Sequence, residues 1–184
     1  FAINELLNKN PPKGSSTYKA AEFRKKSYEF AVDFAKKNTN KNYVFAPQNV
    51  GGNINTSEPE YFPSVSIDGK EFVFTRRLNN YNEDFFSSTQ TKDGWDKALP
   101  LKGDVNTPQN EAGQNISQDG QWLVFTANGR QQGFGNFDIY ISYLTPTGWS
   151  EATNLGGRVN SDQWDSQPCL SPDKRELYFA SRRV

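Results

Sequence analysis

Apolar and polar positions change rhythm once along this chain. Up to residue 42 they recur at helical spacing: Ala20, Phe23, Ser27, Phe30/Ala31 and Phe34 lie three or four apart. Ser15-Ser16-Thr17 offers an N-cap ahead of them, and Lys36-Lys37 sits where a helix end favours positive charge. A shorter helix is predicted over residues 1–7, ending near the Pro11-Pro12 pair. Together they make a helical hairpin over 1–42. It is either a terminal helix pair packed on a neighbouring domain or the end of a helical repeat array.

From residue 43 the pattern becomes short alternating runs punctuated by Gly, Asn, Asp and Pro, and it repeats. Val50-Gly51-Gly52-Asn53-Ile54-Asn55-Thr56 returns as Leu101-Lys102-Gly103-Asp104-Val105-Asn106-Thr107 and again as Leu155-Gly156-Gly157-Arg158-Val159-Asn160-Ser161, at offsets of 51 and 54. At those offsets Glu60 becomes Glu111 and Asp165, Phe74 becomes Phe125 and Phe179, and Ser66-Ile67-Asp68-Gly69 becomes Ser117-Gln118-Asp119-Gly120 and Ser171-Pro172-Asp173-Lys174. The later part of the unit occurs twice, ending in Gly94-Trp95 and Gly148-Trp149. The second copy inserts Gly133-Phe134-Gly135, which marks a surface loop.

Four strands per unit are predicted, for the first copy over 61–66, 71–76, 84–89 and 95–101, with Asp68-Gly69 as a hairpin turn. Small four-stranded sheets in tandem bury their faces only against one another, so the predicted fold is mainly β: a partial β-propeller preceded by the helical hairpin. A two-sheet sandwich is the runner-up, but it does not predict one motif three times. The propeller segment is 43–184, with blade units 46–97, 98–151 and an incomplete 152–184. The run 43–50 aligns with a fourth, outer strand and is expected to complete the last blade. The 184 residues are therefore expected to be part of a longer protein.

Composition narrows the chemistry. Lys and Arg number 21 and so do Asp and Glu, so the net charge gives no electrostatic case for nucleic acid. No apolar run reaches the roughly 18 residues of a membrane span. There is no histidine, which removes His-based metal and nucleophile constellations, and the single Cys169 cannot form an internal disulfide. Cys169, in the first strand of the third unit, is expected to be a small buried hydrophobe. No cofactor and no metal site is expected.

The repeated acids Glu60, Glu111 and Asp165 could form a carboxylate ring; their repetition points instead to one structural job in each unit, hydrogen bonding to nearby backbone or hydroxyl groups. Asp68, Asp119 and Asp173 are turn residues, and Trp95 and Trp149 are expected to pack between units. Trp122 and Trp164 do not repeat and are candidates for partner contact. Arg76, Arg77, Arg130, Arg182 and Arg183 follow the second strand of each unit and, with Asn128, are expected on one rim. They are either solvated loop charges or a surface that reads anions or carboxylates, for which Arg is suited.

The segments INTSEPEYFPSVSIDGKEFVFTRR, VNTPQNEAGQNISQDGQWLVFTANGR and VNSDQWDSQPCLSPDKRELYFASRR resemble the WD-like (WD40-like) propeller repeats of the TolB type. Their wording is similar to a subgroup of OmpA-family envelope proteins. These join tetratricopeptide (TPR) helices, a propeller and a peptidoglycan-binding domain, some of them in type IX secretion and gliding motility. The resemblance covers 43–184; the TPR assignment of 1–42 rests on position alone. It departs at Asp173-Lys174, where Asp-Gly is the pattern, and no peptidoglycan-binding segment is present here to carry wall contacts. It implies a non-catalytic scaffold, periplasmic and outer-membrane-associated, whose partners are envelope, secretion or motility proteins. Peptidoglycan would be reached only through the absent domain. The rival is the propeller of a glycan hydrolase or peptidase, which predicts a non-repeating carboxylate pair.

Overall fold

The computed structural model describes residues 2–9, 11–37 and 46–183. The chain divides into two compact units, Phe1–Pro47 and Gln48–Val184.

The first unit is a pair of helices, α1 (Ala2–Asn8) and α2 (Ser16–Lys37). Ser15 caps α2 by accepting the Tyr18 N–H at 3.1 Å, and Lys37 pairs with Asp33 at 2.7 Å near its other end. Seven residues of α1 reach along only about two turns of a 22-residue partner. Ala21 is buried, whereas Phe23, Phe30 and Phe34 of the predicted stripe stay exposed. No helix among the described residues is long and apolar enough to cross a membrane.

The second unit is mainly β, three antiparallel sheets in succession. The first module contains β1 (Glu60–Val65), β2 (Glu71–Leu78), β3 (Asn82–Thr91), β4 (Gly94–Trp95) and β5 (Leu99–Pro100). The second contains β6 (Glu111–Ile116), β7 (Trp122–Asn128), β8 (Phe137–Thr145), β9 (Gly148–Trp149) and β10 (Thr153–Asn154). The third is a hairpin of β11 (Asp165–Leu170) and β12 (Leu177–Ser181). β6 lies against β1, β2 and β3, and β11 lies in the same way against β6, β7 and β8. The sheets do not close into a ring among the described residues.

The predicted fourth strand over 95–101 is split. Gly94–Trp95 pairs back onto Gln90 and Thr91 at the tip of β3, while Leu99–Pro100 pairs with Phe86 and Ser87 at its middle. The second module's outer strand, Thr153–Asn154, is equally short without a proline, so the length belongs to the repeat. The expected strand over 43–50 is not a strand at 46–50, and 43–45 lie outside the described residues.

One device recurs without a shared residue type. β1, β6 and β11 each carry a bulge, between Tyr61 and Ser64, Ala112 and Asn115, and Ser166 and Cys169. At each bulge one backbone is left-handed: Phe62, Gly113 and Gln167, with φ of 53°, 59° and 55°. One reason Cys169 is exposed rather than buried as predicted is register: at the repeat offsets it falls on Asn115 and Ser64, while Leu170 takes the place of Ile116 and Val65. The other is that no further sheet covers the third module among the described residues.

Two aromatic cores result. One spans the first and second modules: Val73 and Phe85 from one side, Leu101, Val105, Ile116, Phe125, Tyr140 and Trp149 from the other. The other lies on the opposite face of the first module, around Ile54, Phe74, Phe86 and Ala98. Trp149 is buried at 5% exposure, while Trp95 is only half-buried.

Candidate functional site

Each module holds one acid–arginine node at the start of its first strand. In the first, Glu60 accepts the Thr56 hydroxyl at 2.6 Å and Arg76 Nε at 2.9 Å, while Arg76 Nη2 donates to the Ile54 carbonyl at 2.9 Å. In the second, Glu111 accepts the Thr107 hydroxyl at 2.6 Å and Arg130 Nη2 at 3.0 Å, and the same Nη2 donates to the Val105 carbonyl at 2.8 Å. In the third, Asp165 accepts the Ser161 hydroxyl at 2.6 Å and Arg183 Nη2 at 2.7 Å, and Arg183 also donates to the Val159 carbonyl. Each guanidinium lies over an aromatic ring, Arg76 over the core ring of Phe86 at 4.4 Å, Arg130 over that of Phe125 at 5.3 Å and Arg183 over the half-buried Phe179 at 5.4 Å.

The repeated acids thus accept hydrogen bonds within their own modules, and three of the five expected rim arginines are their partners rather than free cations. Those arginines reach one spatial site from three unaligned positions. Arg76 aligns with Ala127 and Ser181, and the later modules fill the site from Arg130 and Arg183, three and two residues further along. From its loop Arg130 cannot use every donor: its buried Nε has no partner. Burial pushes the Glu111 carboxyl above its ordinary value despite Thr107 and Arg130. Burial also raises that of Asp165, but Arg183, Ser161 and Ser181 together outweigh it and hold the group at about 2.

At the opposite strand ends lie the Asp turns. Asp68 accepts the Ser66 hydroxyl at 2.7 Å and the Lys70 N–H at 3.0 Å, an arrangement repeated at Asp119 and Asp173. Lys174 takes the left-handed place of Gly69 and Gly120, with φ 60°. Its ammonium lies 4.6 Å over the Trp122 ring and 2.5 Å from Asp119, which it holds at about 2. The sequence departure at Lys174 is therefore a clamp between modules, and Trp122 is half-buried beneath it, edge-on to Tyr143. Asn128 is spent on Asn136 in the inserted loop.

The remaining singled-out residues, Arg77, Trp164 and Arg182, gather at the acid–arginine end. Arg77, Trp164, Tyr61, Glu83, Phe137 and Gln167 line a cleft of about 510 Å³ across the first strands of the three modules. Trp164 stacks on Phe137 with centroids 4.8 Å apart and is 40% exposed, and Arg182 lies 5.3 Å over its ring. Across the cleft Arg77 pairs with Glu83 at 2.8 Å and stacks 5.5 Å over Tyr61, whose hydroxyl donates to the same carboxylate. Burial first, then that hydrogen bond, pushes Tyr61 up to about 12, so it remains a neutral donor at physiological pH.

No family model matches, and no curated protein matches. Among solved structures the chain is similar to "Crystal structure of TolB from Acinetobacter baumannii", at 18% identity and a TM-score of 0.47. The match covers 64% of this chain and 25% of that one, so this chain spans about a quarter of that structure.

Tyr61, Glu83 and Phe137 are cleft residues that motif reading passes over. Tyr61 and Phe137 are aromatics just inside strand starts, where hydrophobic periodicity assigns them to packing. A usable signal was their failure to repeat: Tyr61 aligns with Ala112 and Ser166.

Proposed function

We propose that residues 48–183 are part of a β-propeller and that this chain is a non-catalytic, protein-binding scaffold of a bacterial envelope complex. Its placement in the periplasm, associated with the outer membrane, and a role linking secretion or motility machinery to peptidoglycan are supported by the repeat wording. So is the reading of α1 and α2 as the end of a TPR array. The protein-binding part rests on one observation. The repeated acids and three of the arginines are consumed inside the modules, whereas Arg77 and the non-repeating Trp164 line one open cleft, and Arg182, the repeat equivalent of Arg77, lies over the Trp164 ring.

A rigid platform with an aromatic floor and flanking arginines suits a protein segment carrying an apolar side chain next to a carboxylate or carbonyl group. The test is capture from bacterial envelope extracts by the intact chain, against Trp164→Ala and Arg77→Ala. Each variant is expected to lose the captured partner by roughly tenfold or more while keeping the wild-type urea midpoint. Equal capture by all three would refute the cleft. Turnover of a glycan or peptide substrate, abolished by one carboxylate substitution, would refute the scaffold.

A further inference from the structure

The recurring Val-Asn-Thr string contains a lock between modules. Asn106 accepts the Phe85 N–H at 2.7 Å and donates to the Phe85 carbonyl at 3.0 Å, gripping one residue of β3 as a peptide group would. Asn160 does the same to Ile139 of β8, at 2.8 and 2.9 Å. Alongside each lock a main-chain bond joins the same carbonyl, from Leu101 to Phe85 at 2.9 Å and from Leu155 to Ile139 at 3.1 Å. Phe85 and Ile139 are repeat equivalents, as are Asn106 and Asn160.

Asn55 is the first member of that series. It is exposed, where Asn160 is 2% exposed, and it meets no third strand among the described residues. Two apolar neighbours share its situation. Val50 is 43% exposed where its counterpart Leu101 is 8%, and Val65 is 46% exposed where Ile116 is 4%. Leu101 and Ile116 are covered in the core that Val73 and Phe85 of the preceding module complete.

We infer that the face formed by Val50, Asn55 and Val65 is a docking face for one further module of this same repeat. That module presents an apolar pair equivalent to Val73 and Phe85, and the main chain of its third strand enters the Asn55 lock. A second copy of the described residues does not fit. β3 and β8 are already held by Asn106 and Asn160, and the third module offers β11 and β12 without a third strand. Docking of a further module rests on the β-propeller reading of residues 48–183 but not on the cleft, so partner capture there can fail while this lock stands.

The test duplicates residues 50–100 in tandem ahead of Val50 in the full chain. The duplicated chain is expected to unfold at a urea midpoint higher by roughly 0.5–1 M. Asn55→Ala at the junction should abolish most of that gain, while the same substitution in the unmodified chain leaves its midpoint unchanged. Equal effects in both chains would overturn the lock. A second measurement needs no new fold: the unmodified chain is titrated with a synthetic peptide of residues 82–91 while side-chain amide resonances are followed. The Asn55 amide is expected to shift and those of Asn106 and Asn160 to stay, with the shift lost on N-methylation at Phe85. No Asn55 shift at millimolar peptide would overturn the proposal. So would concentration-dependent dimers of the unmodified chain that Val65→Asp dissolves and Asn55→Ala does not.

Discussion

The first and second modules are built from the same repeat, yet the second is closed on both flanks and the first on one. In the second, Trp149 is held by its neighbours: its N–H donates to the Lys102 carbonyl at 2.8 Å, and its own carbonyl accepts from Asp104 at 3.2 Å. In the first, Trp95 is tied by a single side-chain bond from Asn53 at 2.6 Å and stays half-buried. The contrast teaches that the repeat is only partly self-sufficient. Its strands and turns form from local chemistry, but the string leading into a unit packs tightly only in the second, where Gly103 bridges to Trp149.

Glycine positions give the sharpest way to break this comparison. A Cβ on Gly103, at φ +104°, would meet the Trp149 carbonyl oxygen at 2.0 Å, whereas one on the equivalent Gly52 would meet nothing within 4 Å. Gly103→Ala is expected to destabilise by about 3 kcal/mol or more, through backbone overlap and left-handed strain. Gly52→Ala should stay within about 0.5 kcal/mol. Urea unfolding of the two variants checks this; similar costs would show that the two modules are equally enclosed.

The asparagine locks come next. Removing Asn160 leaves the buried N–H of Ile139 without its side-chain acceptor, which costs about 2 kcal/mol by loss of hydrogen bonds to a desolvated strand. Asn106, half-buried, should cost roughly 1 kcal/mol less on change to Ala. Hydrogen exchange at Phe85 and Ile139 reads each lock directly. Protection lost at both sites in either single variant would mean the modules do not open independently.

These cases also mark what the chain discloses on reading. The hairpin turns were legible because Ser-x-Asp is chemistry of three adjacent residues, and even Lys174 at the glycine position keeps the same bonds. The acids at 60, 111 and 165 were legible as structural positions, since repetition argues for a shared role. Their arginine partners were not, because one guanidinium site is filled from three unaligned backbone positions and a long side chain hides the offset. The bulges left no common residue either: Phe62, Gly113 and Gln167 share a backbone angle and nothing else. Asn55, Asn106 and Asn160 stood in plain view in the repeated string, but their job is a contact across modules, which spacing within one module does not encode.

Smallest and most diagnostic is the acid response of the second and third nodes. Asp165 sits at about 2 in the folded chain, below the ordinary carboxylate value, so across that window the unfolded chain binds more protons. Its contribution is therefore complete above about pH 4 and lost as pH falls toward 2. Glu111 is raised by burial, so the folded chain binds more protons between the ordinary value and the raised one. Its contribution grows as pH falls through that interval. The stability difference between wild type and Asp165→Asn should shrink on acidification from pH 4, while that between wild type and Glu111→Gln should widen on acidification from pH 7. Chemical unfolding at stepped pH measures both. Slopes of the same sign would mean that the two nodes share one electrostatic environment, and that the tighter enclosure of the second module has no effect on its buried charge.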